Sequence, residues 1–201
     1  MPYRSVPDRP FDTPERAAFR ETVERFVAER IEPFADAWDE AGDFPWDLHE
    51  AAGALGLFGF GIEEAYEGLG FDDAFMRLDA GIALAYAGAG GVNASLGARN
   101  IMTRPIQTLA SADLKARALP DIVSGRAGGA LAMTEPSGGS DLSRLKTRAV
   151  LKDGEWRIIG EKTFITGGMK ADWFLVGART GGEGFAGVSL FLVPGDAPGF
   201  E

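Results

Sequence analysis

Residues 130–141 read Ala130-Leu131-Ala132-Met133-Thr134-Glu135-Pro136-Ser137-Gly138-Gly139-Ser140-Asp141, and they separate two halves of different pattern. The apolar run Ala130–Met133 enters the segment as a strand. Pro136, Gly138 and Gly139 then build a turn flanked by two hydroxyls and two carboxylates. Glycines let backbone N–H groups come close to a ligand, proline fixes the turn, and Ser and Thr hydroxyls add donors. Taken alone, the segment reads equally well as an ordinary Gly-rich β-turn. Downstream lies a second segment, Gly160-Glu161-Lys162-Thr163-Phe164-Ile165-Thr166-Gly167-Gly168, and the pair points to a ligand with a polar or anionic edge.

Working outward, the periodicity before residue 127 is helical. Thr13-Pro14-Glu15 supplies a hydroxyl cap, a proline at the first position and an acid in the first turn. Phe19, Val23, Phe26, Val27, Ile31 and Phe34 recur at three- and four-residue steps, one apolar stripe that Pro33 should kink or divide. A second helix is expected from Pro45 to Leu55, ended by Gly56. A Gly-rich loop over 58–71 follows. A long Ala-rich helix then runs from Asp72 through Phe75, Leu78, Ile82 and Tyr86, with Asp72-Asp73 as its cap. Gly88, Gly90 and Gly91 allow a close helix contact or a break, and two short helices are expected over 100–109 and 112–124.

After residue 127 the pattern becomes one of strands: Ala149–Leu151, Trp156–Ile159, Lys162–Thr166, Trp173–Val176 and Val188–Val193, with Asp153-Gly154 as a hairpin turn. The expected fold class is α+β and multidomain. An all-α domain over 1–126 precedes an antiparallel β-domain over 127–201.

Composition removes several functions. With no cysteine there is no disulfide framework, thiol nucleophile or Cys-based metal site. His49 is the only histidine, which rules out the H-E-x-x-H zincins and His-dependent triads, so no metal site is expected. A formal charge of -10 argues against nucleic acid. No apolar run reaches the ~18 residues of a membrane span, and Met1–Asp8 lacks a signal-peptide core, so a cytoplasmic setting is expected. Gly182-Glu183-Gly184-Phe185-Ala186-Gly187 fits G-x-G-x-x-G but precedes a strand, so it reads as a hairpin connection. Ser143-Arg144-Leu145-Lys146 fits S-x-x-K without the partner motifs of serine acyl-enzymes.

Met133-Thr134-Glu135-Pro136-x-x-Gly139-Ser140-Asp141 followed by Gly160-x-Lys162-x-Phe164-Ile165-Thr166 resembles the acyl-CoA dehydrogenase family of flavoenzymes. Leu55-Gly56-Leu57, Glu64–Gly70, Ala171-Asp172-Trp173 and Ser189–Val193 with Pro198-Gly199-Phe200 extend the likeness over nearly the whole chain, as the first half of a typical member. The resemblance implies FAD as cofactor and an acyl-CoA thioester as substrate, dehydrogenated between Cα and Cβ with hydride transfer to flavin N5. It also implies electron-transfer flavoprotein or a similar acceptor, and a homo-oligomer at full length.

Carried over residue by residue, Leu131 and Met133 offer backbone groups to the pyrimidine side of the flavin, joined by the Thr134 hydroxyl. Gly139 and Ser140 sit by its phosphate-bearing chain, and Ser140 also binds the substrate's pantetheine arm. Phe164, with Ile165 beside it, covers the ring, and Thr166 hydrogen-bonds N5. The family's general base is a glutamate in a C-terminal helical bundle beyond residue 201, so no catalytic residue is nominated. The β-domain is expected to be incomplete and the chain alone inactive. Glu135 is expected to bind loop backbone or a nearby cation, and Asp141 to serve a turn. Ser137-Gly138-Gly139 where members often have Gly-Ala-Gly, Glu67 before Gly68, Arg144 and Gly167 are departures that touch subfamily more than flavin. Acyl-CoA oxidases and nitroalkane oxidases share the implied scaffold, and a non-enzymatic relative without flavin is the reading from another class.

Overall fold

The computed structural model describes residues 10–201; the Met1–Asp8 reading lies outside them. Helix α1, Pro14–Arg30, starts where the Thr13 side chain accepts the Arg16 N–H at 3.3 Å, and it buries Val23, Phe26 and Val27. Pro33 does divide the stripe: a single 3-10 turn over Glu32–Phe34 leads into α2, Ala35–Ala41, and Phe34 faces solvent. Helix α3, Asp47–Ala54, buries Leu48, His49 and Ala52, and Gly56 follows it in the left-handed region. The loop over 58–71 closes on itself through Leu69 N–H to Gly59 O at 3.0 Å and Gly70 N–H to Ile62 O at 2.9 Å. Asp73, not Asp72, caps α4, Ala74–Tyr86, accepting from Phe75 and Met76. Asp72 pairs instead with Arg77 and Arg104.

One expectation about the helices changes. The short helix expected over 100–109 is the second half of α5, a 20-residue helix over Gly90–Leu109 that contains Pro105. Gly88, at φ 68, is the break, and packing of Val92, Leu96 and Met102 carries the helix past its poorly helix-forming glycines. Helix α6, Ala112–Val123, follows with Ser111 as cap.

Five strands are described: β1 Gly129–Ala132, β2 Arg148–Lys152, β3 Glu155–Ile159, β4 Trp173–Arg179 and β5 Val188–Pro194. Strand β4 is central, with β5 antiparallel along one edge and β1, then the end of β2, along the other. The sheet is therefore mixed: its two hairpins are antiparallel, as expected of a mainly antiparallel domain, and β1 adds a parallel pair with β4. β1 and β4 run parallel because the chain leaves and returns through residues 133–172, a crossover long enough to reverse its course. The β2–β3 hairpin turns at Asp153 and Gly154, both at positive φ, as their dipeptide predicts. The connection over 180–187 joins β4 to β5 as a hairpin.

One apolar cluster joins α1, α3, α4 and the start of α5. A second runs from Ile62, Met102, Leu119 and Ile122 to Leu175 of β4, so helices and sheet share a core. β1 lies so close under α5 that a Cβ on Gly129 would sit 2.3 Å from Met102 Sδ.

Candidate functional site

Beyond Ala132 the chain makes a tight reversal: Glu135 N–H reaches Gly138 O at 3.0 Å and Gly138 N–H returns to Glu135 O at 2.9 Å, with Pro136 and Ser137 at the tip. Gly139 tucks under Thr134; a Cβ there would lie 2.9 Å from the Thr134 hydroxyl oxygen. Glu135, 5% exposed, accepts the N–H groups of Lys146 at 2.7 Å and Thr147 at 2.8 Å and pairs with Lys162 Nζ at 3.1 Å. Burial opposes its ionisation, but the hydrogen bonds from Thr147, Lys146 and Lys162 outweigh that and hold the carboxyl down to about 2. Burial in turn draws the Lys162 ammonium below its ordinary range, against the pull of Glu135. Lys162 also donates to Met133 O at 2.9 Å. Glu135 thus has the structural part expected of it, with its cation identified as Lys162. Asp141 likewise serves its turn, accepting from Ser143 N–H at 3.1 Å and from the Ser143 hydroxyl.

The run Lys162–Thr166 is not a strand, contrary to its composition. Thr163 N–H bonds Thr134 O at 3.0 Å, Gly168 N–H closes a turn on Ile165 O at 2.9 Å, and Phe164 between them adopts φ 56, a left-handed conformation no strand residue takes. The Phe164 ring is 92% exposed. Bonds from a distant loop set this backbone, and local β-propensity yields to them.

The sequence-nominated residues fall into two groups. Leu131, Met133 and Thr134 leave β1 in line and meet the Phe164-Ile165-Thr166 loop through the Thr134–Thr163 bond. Gly139 and Ser140 stand apart from Phe164, on a recess of about 300 Å3 that Met133, Arg144 and Lys146 also line. Among the described residues the hydroxyls of Thr134, Ser140 and Thr166 make no hydrogen bond within the protein, and those of Ser140 and Thr166 face solvent.

Sequence reasoning did not find a second cavity, of about 220 Å3, between α3, α5 and residues 165–170. Arg99 and His49 stand in its wall. Burial lowers His49 to about 3, with the Arg99 charge adding to the effect, so the imidazole is neutral at pH 7. Burial also draws Arg99 down to about 10, against the attraction of Asp172, and it stays charged. No local pattern marks either residue; both sit on helix faces that otherwise read as core. Among the described residues no group of three His, Cys, Asp or Glu could hold a metal, and no helix is long and apolar enough to cross a membrane.

Two profiles match the chain: "Acyl-CoA dehydrogenase, N-terminal domain" over residues 13–126 and "Acyl-CoA dehydrogenase, middle domain" over 130–201. The benzylmalonyl-CoA dehydrogenase of Aromatoleum aromaticum is 38% identical over 192 residues, 93% of this chain and 49% of that protein. Butyryl-CoA dehydrogenase from Megasphaera elsdenii superposes with a TM-score of 0.86 at 30% identity, over 94% of this chain and 50% of the other. A glutaryl-CoA dehydrogenase of Mycobacterium smegmatis, solved in complex with FADH2, gives 0.86 at 29% identity over 94% and 48%. The chain spans about half the length of the curated relatives it matches. With both profiles and the fold in agreement, the chain belongs to the acyl-CoA dehydrogenase family.

Proposed function

We propose that this chain supplies the flavin-facing part of an FAD-dependent acyl-CoA dehydrogenase, in a protein that oxidises an acyl-CoA thioester between Cα and Cβ. The observation that carries the reading is the pair of loops joined at Thr134–Thr163 over the buried Glu135–Lys162 pair, which leave Phe164 displayed and three hydroxyls free. That donor set fits an isoalloxazine edge. The Thr134 hydroxyl and the backbone of Leu131 and Met133 bind its pyrimidine side, Phe164 and Ile165 shield its face, and the Thr166 hydroxyl donates at its centre. Gly139 allows close approach of the phosphate-bearing chain, and Ser140 on the neighbouring recess holds the thioester's pantetheine arm. The chemistry a bound flavin supplies is acceptance of a hydride from Cβ. Fixed donors aimed at the flavin's polar edge stabilise the charge that arrives with it. Residues 1–126 and 127–201 act as two domains of this unit. Electron-transfer flavoprotein or a similar acceptor and self-association belong to the same proposal.

The test is flavin retention. A longer protein that contains this chain, purified with FAD and passed through gel filtration, is expected to stay yellow. Thr166→Val conserves shape and removes a hydrogen bond of about 1 kcal/mol, or roughly fivefold in Kd. It should weaken retention or shift the flavin potential without changing the fold. A colourless native protein, or a variant identical in both retention and potential, overturns the assignment.

A further inference from the structure

Behind the Thr166 loop, the 220 Å3 cavity is walled by α3, α5, Gly128 and Gly129 at the start of β1, and Gly167 and Gly168. Arg99 and His49 line it and are each 2% exposed. Arg99 has no carboxylate within ion-pair distance among the described residues. Its terminal nitrogen reaches Ala127 O only at 3.5 Å, and its Nε–H has no acceptor. The rings of Trp46 and Phe58 lie 5.0 and 5.1 Å from the guanidinium carbon, which stabilises the charge but leaves the N–H donors unmet. His49 Nε2 is paired with Ser95 Oγ at 3.1 Å, while its Nδ1 has no partner.

The other charges around the cavity are already engaged. Lys170 and Asp43 bond each other, and Asp172 takes the Gly128 N–H at 2.7 Å and attracts Arg99 only from a distance. What remains on one wall is a buried cation with an unused donor beside a buried imidazole with an unused nitrogen. Buried guanidinium groups are met by planar oxyanions, whose two oxygens match the fork of donors.

We propose that this cavity is a binding site for a small free carboxylate, held by the Arg99 fork and by His49 donating from Nδ1, with the Ser95 hydroxyl donating to Nε2 and so fixing that tautomer. The volume suits an acid well below drug size. Gly167 and Gly168 directly follow Thr166, so occupancy braces the loop from behind. The proposal does not rest on the flavin reading, and its test uses no flavin.

Isotope-labelled protein at pH 7 is titrated with sodium acetate and sodium succinate, against sodium chloride at equal ionic strength. The readouts are the Arg99 Nε–H and Trp46 indole resonances and the melting temperature. Saturable shifts of both resonances and a rise in melting temperature are expected from a carboxylate and not from chloride. Arg99→Met should weaken binding by at least about tenfold, and Arg99→Lys should recover part of it. If Arg99→Met does not fold, the native titration decides alone. An Arg99 Nε–H resonance unmoved by either acid, or moved equally by chloride, overturns the proposal and leaves Arg99 as a cation held by aromatic rings.

Discussion

Glu135 shows how one side chain can fix two loops at once. Its carboxylate takes donors from Lys146, Thr147 and Lys162, three positions distant in sequence from it, while Lys162 bridges on to Met133 O. Replacing one oxygen by an amide nitrogen sets donor against donor and leaves the buried Lys162 ammonium without its counter-charge. Glu135→Gln should therefore cost about 3 kcal/mol in urea unfolding. Glu135→Gln combined with Lys162→Met should cost less than the sum of the two, because they share one interaction. A loss under about 1 kcal/mol, or simple additivity, would refute the hub. The same bonds explain why Phe164 tolerates φ 56, a backbone conformation that costs on the order of 1–3 kcal/mol unless its surroundings impose it.

At the scale of elements, α3 crosses the end of α6 backbone to backbone. A Cβ on Gly53 would lie 2.2 Å from Ser124 O, and one on Gly125 would lie 2.2 Å from His49 O, while Trp46 Nε1 donates to Gly125 O at 3.1 Å. Gly81 in α4 has nothing within 4 Å of its would-be Cβ. Helix propensity alone favours alanine at both positions by about 1 kcal/mol. Gly81→Ala should realise that gain, whereas Gly53→Ala should lose about 1–3 kcal/mol because backbone cannot move aside as a side chain can. Thermal melts with the two variants moving the same way would sink the argument. Elements encoded by their own residues were legible: the Thr13-Pro14 start, the Pro33 division, the Asp73 cap and the Asp153-Gly154 turn. The resemblance also singled out the two motif segments, which the Thr163 N–H to Thr134 O bond brings together. What failed was set from afar. The start of α5 depends on packing of Val92 and Leu96. The loop at Phe164 depends on Thr134 and Glu135, and the parallel course of β1 and β4 on a crossover of some forty residues. The Arg99–His49 wall had no local signature at all, because burial of a polar side chain is a property of the assembled core.

In the whole molecule, the shared core from Met102 and Leu119 to Leu175 makes helices and sheet unfold together, so buried titratable groups in either part report on one transition. Both His49 and Glu135 have folded values below their ordinary ones, about 3 against 6.5 and about 2 against 4.5. A depressed value means stability present above the ordinary pKa and lost as pH falls toward the folded one, at about 1.4 kcal/mol per group for each pH unit. The melting temperature should be level above pH 7, decline below about 6.5 as the unfolded chain protonates at His49, and fall more steeply below about 4.5 when Glu135 joins. His49→Gln should flatten the segment from about 6.5 to 4.5 and leave Glu135's slope alone below it. A melting temperature constant from pH 7 to 5 in the native chain would contradict this. The partners of the loop carboxylates bear on catalysis as well. Abstraction of an α-proton needs a carboxylate within hydrogen-bond reach, on the substrate face opposite the flavin. At the two loops, Glu135 is committed to Lys162 and Asp141 to Ser143, and under the proposed function both would lie on the flavin side. The 201-residue chain alone, incubated with FAD, a series of acyl-CoA thioesters and a dye acceptor, is therefore expected to run at least about 10²–10⁴-fold below a full-length family enzyme. Dye reduction at full-length rates would place a base within residues 1–201 and move the active site away from these loops.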